Sequence, residues 1–141
     1  MEIELVSRLG ARLPTGAGLL GFGTTEQDAR RRLESFGGSA RASFVSGAAW
    51  GWRVRVGDRW IEAGAGGDGL LGEIRVARAV EAAGDDVAGI GLRYRGIDLF
   101  AHTMAEVEFL LGAIEGGVSG DLRLTGTSAY ALSATLVDLS R

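Results

Sequence analysis

One stretch of the sequence occurs twice, and this repeat constrains the fold more than any other feature. Residues 18–38 read GLLGFGTTEQDARRRLESFGG, and residues 96–116 read GIDLFAHTMAEVEFLLGAIEG. With an offset of 78 residues, similar side chains fall at nine pairs of positions: Gly18/Gly96, Leu19/Ile97, Phe22/Phe100, Thr25/Thr103, Asp28/Glu106, Ala29/Val107, Leu33/Leu111, Phe36/Ile114 and Gly38/Gly116. Such self-similarity predicts an approximate internal repeat, with halves near 15–80 and 93–141.

Each copy has the pattern of a capped amphipathic helix. Thr25-x-x-Asp28 and Thr103-x-x-Glu106 both have the spacing of a capping box, although Thr24-x-x-Gln27 fits the first copy equally well. Apolar residues at helical spacing follow each cap. We therefore predict helices over 26–36 and 104–114. The residues expected to end them are glycines, Gly37 and Gly116.

The rest of the chain reads as short strands. The segment 50–57 alternates strictly, which places Trp50, Trp52, Val54 and Val56 on one face and Arg53 and Arg55 on the other. Gly57-Asp58 has the composition of a two-residue hairpin turn. The segment GARLPTGAG, residues 10–18, is expected to be a loop because it contains the only proline. Together these patterns predict a single α+β domain over 1–141, with a mostly antiparallel sheet and two helices on one face.

Composition excludes several classes of protein. The chain has 141 residues, no cysteine and a net charge of −3, and all 15 of its basic residues are arginine. Without cysteine there is no disulfide or thiolate metal site. The negative charge argues against general nucleic-acid binding. No apolar run reaches the length of a membrane span, and the first residues lack a basic leader, so a cytoplasmic protein is expected.

The motifs that could carry catalysis or cofactor binding are weak. Gly16-x-Gly18-x-x-Gly21 has the letters of a dinucleotide-binding loop, but Pro14 precedes it and the helix starts several residues late. His102 is the only histidine, and Asp85-Asp86 is the only adjacent acidic pair. We therefore expect no enzymatic activity, no cofactor and no metal site.

Three tryptophans, Trp50, Trp52 and Trp60, fall on two strands joined by one hairpin. Large aromatic side chains at such positions are typical of core packing beneath a helix. The same three residues could instead line a ligand pocket. The sequence leaves both alternatives open.

Arginine recurs on the outward side of the expected strands. The residues concerned are Arg53, Arg55, Arg75, Arg93 and Arg95, with Arg123 as a further candidate. If these strands are neighbours, the side chains form a guanidinium-rich sheet face, moderated by Glu73. Guanidinium groups bind carboxylates in a forked geometry, so the expected ligand is an acidic protein partner. The alternative is a solvated face with internal cross-strand ion pairs.

The stretch GLLGFGTTEQDARRRL, together with YRGIDLF at 94–100, resembles a bacterial family of uncharacterised small proteins. The resemblance covers about residues 15–115. The capped helix is more distantly similar to the tandem modules of β-lactamase inhibitor proteins and of outer-membrane assembly lipoproteins. These families imply a pair of helices against an antiparallel sheet, used to bind other proteins, and they imply no catalytic residues.

The sequence therefore favours a non-enzymatic protein-interaction module, of an inhibitory or immunity type. A small-ligand-binding protein with a tryptophan-lined pocket is the alternative. Neither nucleic acid nor a membrane is an expected partner, and homo-oligomerisation stays open.

Overall fold

The computed structural model describes residues 1–43, 48–78, 90–113, 120–126 and 131–139. Two helices lie among these residues, α1 over Glu26–Gly37 and α2 over Met104–Ala113. The strands are β1 Glu2–Val6, β2 Gly10–Leu13, β3 Gly18–Gly21, β4 Arg41–Ala42, β5 Gly51–Val56, β6 Arg59–Ala65, β7 Leu71–Arg78, β8 Gly91–Tyr94, β9 Ile97–Asp98, β10 Leu122–Gly126 and β11 Ala131–Val137.

The strands form two sheets. One has five strands in the order β3-β2-β1-β8-β9, and the other has six in the order β10-β11-β7-β6-β5-β4. All pairings between the described strands are antiparallel except β1 with β8. The α+β class and the mostly antiparallel pairing are confirmed, but the expectation of a single sheet is wrong.

The apolar faces of both sheets and both helices contribute to one core. Ile3, Leu5 and Leu92 come from the five-stranded sheet, and Ile61 and Val76 come from the six-stranded sheet. Successive residues of a strand point to opposite faces, so each sheet turns its other face away from this core. These two outward faces are where exposed polar side chains collect.

The helices begin where their caps predict. The Thr25 hydroxyl accepts a hydrogen bond from the Asp28 N–H at 3.3 Å, which decides between the two candidate caps of α1. In α2, Thr103 and Glu106 accept from each other's backbone N–H groups at 3.2 Å and 3.0 Å. Gly37 is the last residue of α1, and the left-handed residue beyond the helix is Gly38, with φ of 84°. The expected stop at Gly116 lies outside the described residues.

The two helices pack against different parts of the molecule. Helix α1 contacts β5 and β6 of the six-stranded sheet and the edge strand β3, whereas α2 contacts β9. Because the described strands form two sheets, the single sheet that both helices were expected to cover is replaced by two.

The internal repeat stays a prediction. Each helix follows an edge hairpin of the five-stranded sheet, β2–β3 before α1 and β8–β9 before α2. Gly18 and Gly96, which the repeat aligns, have φ of 84° and 82°. The segments after the helices differ, because four described strands, β4–β7, lie between α1 and the β8–β9 hairpin, whereas two, β10 and β11, follow α2. No helix in the described part of the chain is long and apolar enough to span a membrane.

Candidate protein-binding face

The outward face of the six-stranded sheet carries a row of arginines. Cross-strand pairing links Arg41 to Arg53, Arg53 to Glu62, Glu62 to Arg75, Arg75 to Thr135 and Thr135 to Arg123. Residues paired across a sheet project from the same face, so this row crosses all six strands. Arg55 and Trp60 form the adjacent pair on the same face. We call this surface the arginine face.

The arginine face has a cationic excess. Among the described residues it holds five arginines, whereas its acidic residues are Glu62 in the row and Glu73 farther along β7. Glu62 is 7% exposed and pairs with Arg75 at 3.5 Å. Arg41, Arg55 and Arg123 are exposed. The like charges in one row repel each other, and an anionic ligand would relieve that repulsion.

Trp60 supports the arginines rather than offering a free ring. The Arg53 guanidinium lies 4.5 Å from the centre of the Trp60 ring, and the Arg55 guanidinium lies 5.8 Å from it. A guanidinium over an indole gains cation–π energy and loses side-chain mobility. Among the described residues, the buried Nε of Arg53 has no hydrogen-bond partner. The stack therefore holds the Arg53 guanidinium in place beside the Trp60 ring.

The outward face of the five-stranded sheet has the opposite character. Its cross-strand row reads Leu19, Arg12, Glu4, Arg93 and Asp98, so the charges alternate. Arg12 pairs with Glu4 at 3.3 Å, and Arg93 donates two hydrogen bonds to Glu2, at 2.7 Å and 3.0 Å. The hydrogen bond from Arg93 lowers the pKa of Glu2, and the same bond raises the pKa of Arg93. This face is neutralised internally.

The structure therefore separates the arginines that the sequence grouped together. Arg53, Arg55 and Arg75 share the arginine face, but Arg93 lies in the other sheet and is paired with Glu2. Arg95 lies in the turn between β8 and β9, with φ of 50°, and its guanidinium is 5.5 Å from the Tyr94 ring. The expectation that Arg93 and Arg95 belong to the same surface is wrong, because β8, which holds Arg93, pairs with β1 and β9, and Arg95 lies in the turn that follows β8.

The three tryptophans do not line a common pocket. Trp52 pairs with Ala63 on the core side of the sheet, where its Nε1 donates to Glu26 at 2.9 Å and the Arg30 guanidinium covers its ring at 4.1 Å. Trp50 donates to the Gly69 carbonyl at 2.7 Å. Trp60 projects from the opposite face of the sheet. A pocket made by all three is therefore excluded, although each tryptophan has its own packing role.

The weaker motifs also have ordinary structural positions. The glycines of Gly16-x-Gly18-x-x-Gly21 lie in the β2–β3 hairpin and not in a strand-to-helix turn. His102 lies before α2, with its Nδ1 3.9 Å from Glu106 Oε2. Asp85-Asp86 lies outside the described residues. Within the described ranges, no three histidine, aspartate or glutamate side chains are grouped closely enough to hold a metal ion.

Sequence reasoning missed Arg41. Its strand, β4, has only two residues, so no alternation could reveal which way the side chain points. Arg123 was named as a further candidate, and its pairing with Thr135 places it in the row. Both residues are exposed at the two ends of the arginine face, where a partner can reach them without disturbing the core.

A comparison of the chain with models of protein families, with curated proteins and with solved structures finds no match.

Proposed function

We propose that this chain is a non-enzymatic, cytoplasmic protein-binding module whose arginine face binds an acidic surface of a partner protein. The observation that carries the proposal is the contrast between the two outward faces. The five-stranded sheet balances its arginines with acids in register, whereas the described row across the six-stranded sheet sets Arg41, Arg53, Arg75 and Arg123 against Glu62. Forked guanidinium donors on a rigid sheet suit the carboxylates of another protein.

The chemistry of the face favours binding over catalysis. Arginine stays protonated at any physiological pH, so it stabilises anions but does not shuttle protons. Single-stranded nucleic acid would need open aromatic rings for base stacking, and Arg53 covers the ring of Trp60. An inhibitory or immunity-type role is the finer form of the proposal, in which the bound acidic surface is the functional site of the partner.

The test compares two double variants with the same change in charge. R41Q/R123Q removes the exposed ends of the arginine face, and R12Q/R93Q removes two arginines from the neutralised face. Each variant is used to capture partners from the lysate of the native host and is titrated with poly-L-glutamate as a defined acidic probe. R41Q/R123Q should lose the captured partner and bind the probe about tenfold more weakly at low salt. R12Q/R93Q should still capture the partner and should bind the probe as tightly as the wild type does.

Salt provides an independent check on the mechanism. The Debye length falls from about 10 Å at 0.1 M salt to about 3 Å at 1 M, so the difference between the variants should shrink as salt rises. R41Q/R123Q should keep the stability of the wild type within about 0.5 kcal/mol, because both positions are exposed. Equal losses in the two variants would show that only net charge matters and would end the proposal. Size-exclusion chromatography of the free protein shows whether self-association competes.

A further inference from the structure

Helix α2 carries more apolar surface than the core uses. Val107 and Leu111 are buried at 0% and 4% exposure and form the stripe that faces inward. Phe109 projects from another side of the helix and is 76% exposed. A surface helix normally confines its large apolar residues to one stripe. An exposed phenylalanine beside that stripe is therefore a feature that packing does not explain.

Phe109 is part of a continuous outer stripe. His102, Ala105, Glu106, Phe109 and Leu110 line a shallow groove of about 410 Å³ on the surface. Their spacing of three and four residues places them on one side of the helix and of the turn before it. A groove between the side chains of a surface helix can receive a side chain from a helix packed alongside, as ridges of one helix fit grooves of another.

The helix that forms this groove is acidic. Glu106 lines the groove and Glu108 lies on the same helix; both are exposed, and α2 contains no arginine. The backbone N–H of Thr103, followed by its hydroxyl, lowers the pKa of Glu106, so this carboxylate is ionised at neutral pH. His102 Nδ1 lies 3.9 Å from the same carboxylate. The outer stripe therefore combines an apolar centre with a negative border.

We propose that the outer stripe of α2 is a second docking site, which receives a cationic amphipathic helix of a partner protein. An apolar side chain of that helix enters the groove beside Phe109, and its lysine or arginine residues meet Glu106 and Glu108. A second copy of α2 fits poorly, because a symmetric contact would bring the glutamates of both copies together. This site is chemically the reverse of the arginine face, and its occupant differs accordingly.

The test uses a synthetic amphipathic helix of leucine and lysine, and a leucine–glutamate peptide with the same apolar pattern. Isothermal titration should show binding of the leucine–lysine peptide at least tenfold tighter than binding of its acidic counterpart. F109S should weaken the leucine–lysine peptide at least tenfold, because the aromatic anchor is lost. L139S, which changes another leucine that is 61% exposed, should leave the affinity unchanged.

A charge variant separates the rim from the apolar centre. E106Q/E108Q should weaken binding of the leucine–lysine peptide and reduce the dependence of this binding on salt. Glutamine at position 106 still accepts the capping hydrogen bond. R41Q/R123Q should bind the peptide as the wild type does, so this site can fail without affecting the arginine face. Equal affinity of F109S and the wild type would overturn the proposal. Sedimentation that shows a dimer of the free protein, lost in F109S, would assign the stripe to a second copy and also overturn it.

Discussion

The role of each arginine in this chain depends on the residue that lies opposite it on the neighbouring strand. Arg93 faces Glu4 in register and binds Glu2, so its charge is satisfied within its own sheet. Arg53 faces Arg41 on one side and Glu62 on the other, and Glu62 already pairs with Arg75. The same residue type therefore stabilises one sheet and leaves a cationic surface on the other.

The ion pair between Arg75 and Glu62 is asymmetric, and this predicts unequal effects of its two single substitutions. The Glu62 side chain is 9% exposed, whereas the Arg75 side chain is 41% exposed. R75Q leaves a nearly buried carboxylate without its partner, so it should cost about 1–3 kcal/mol of the free energy of unfolding. E62Q leaves a partly hydrated guanidinium and should cost less than about 1 kcal/mol. Urea denaturation of both variants measures the difference.

The double variant E62Q/R75Q provides the control for this pair. Since it removes the stranded carboxylate together with its partner, it should be more stable than R75Q alone. If E62Q were as destabilising as R75Q, burial of Glu62 would not be the cause, and the pair would act only through its direct attraction.

At the scale of single elements, we expect substitution of glycine by alanine to have opposite effects on stability at two helical positions. A Cβ added at Gly37 would lie 2.7 Å from both Cβ and Cγ2 of Val54, which is held on β5, so α1 packs directly on the sheet through this glycine. G37A should therefore destabilise the protein by about 1–3 kcal/mol. A Cβ at Gly112 in α2 would meet nothing within 4 Å, so G112A should stabilise by up to about 1 kcal/mol.

Thermal or chemical denaturation of G37A and G112A measures whether each glycine-to-alanine substitution lowers or raises the free energy of unfolding. The comparison separates helix propensity, which favours alanine at both positions, from the close approach of α1 to Val54. A neutral or stabilising G37A would mean that the helix end shifts away from the sheet at little cost.

The elements that the sequence predicted well are those defined by local chemistry. Capping hydrogen bonds at Thr25 and Thr103 fix where the helices start, and Gly57 permits the tight turn that joins β5 to β6. The loop that the sequence predicts over 10–18 is instead part of the β2–β3 hairpin, because proline and several glycines there conceal two short strands. Gly10 shows why glycine is needed there, since its φ is 126° and a Cβ would lie 2.1 Å from the Leu20 carbonyl oxygen.

At the scale of the whole molecule, the division into two sheets could not be read from the sequence. Alternation reveals which residues of one strand share a face, but it says nothing about which strand lies beside it. The parallel pairing of β1 with β8 joins segments about ninety residues apart and takes Arg93 away from Arg53. Three of the five arginines of the candidate site, Arg53, Arg55 and Arg75, therefore follow from alternation, whereas assigning Arg41 and Arg123 to its two ends requires the strand order.

The two sheets are tied together by Phe100, which lies between the buried Arg59 and the partly buried Arg78. Phe100 follows β9 of the five-stranded sheet and is 6% exposed. The guanidinium groups of Arg59 and Arg78, paired across β6 and β7, lie 4.8 Å and 4.7 Å from the centre of its ring. Arg78 also donates to the Phe100 carbonyl, and Arg59 donates to the Ile90 carbonyl at 3.1 Å. Arg59 and Arg78 thus both donate to backbone carbonyls of residues that flank strands of the five-stranded sheet.

Because Phe100 contacts Arg59 and Arg78 of the other sheet, we predict that it determines the cooperativity of unfolding as well as the free energy of unfolding. F100A should cost about 3–5 kcal/mol, because it opens a cavity and removes the ring from both guanidinium groups. Hydrogen exchange followed by mass spectrometry should show β8 and β6 losing protection at the same denaturant concentration in the wild type. In F100A the five-stranded sheet, whose described strands have two to five residues, should lose protection first. A matched change at the half-buried Phe36, F36A, should lower stability without separating the two sheets. Simultaneous loss of protection in F100A would show that the remaining core contacts are enough to couple the sheets.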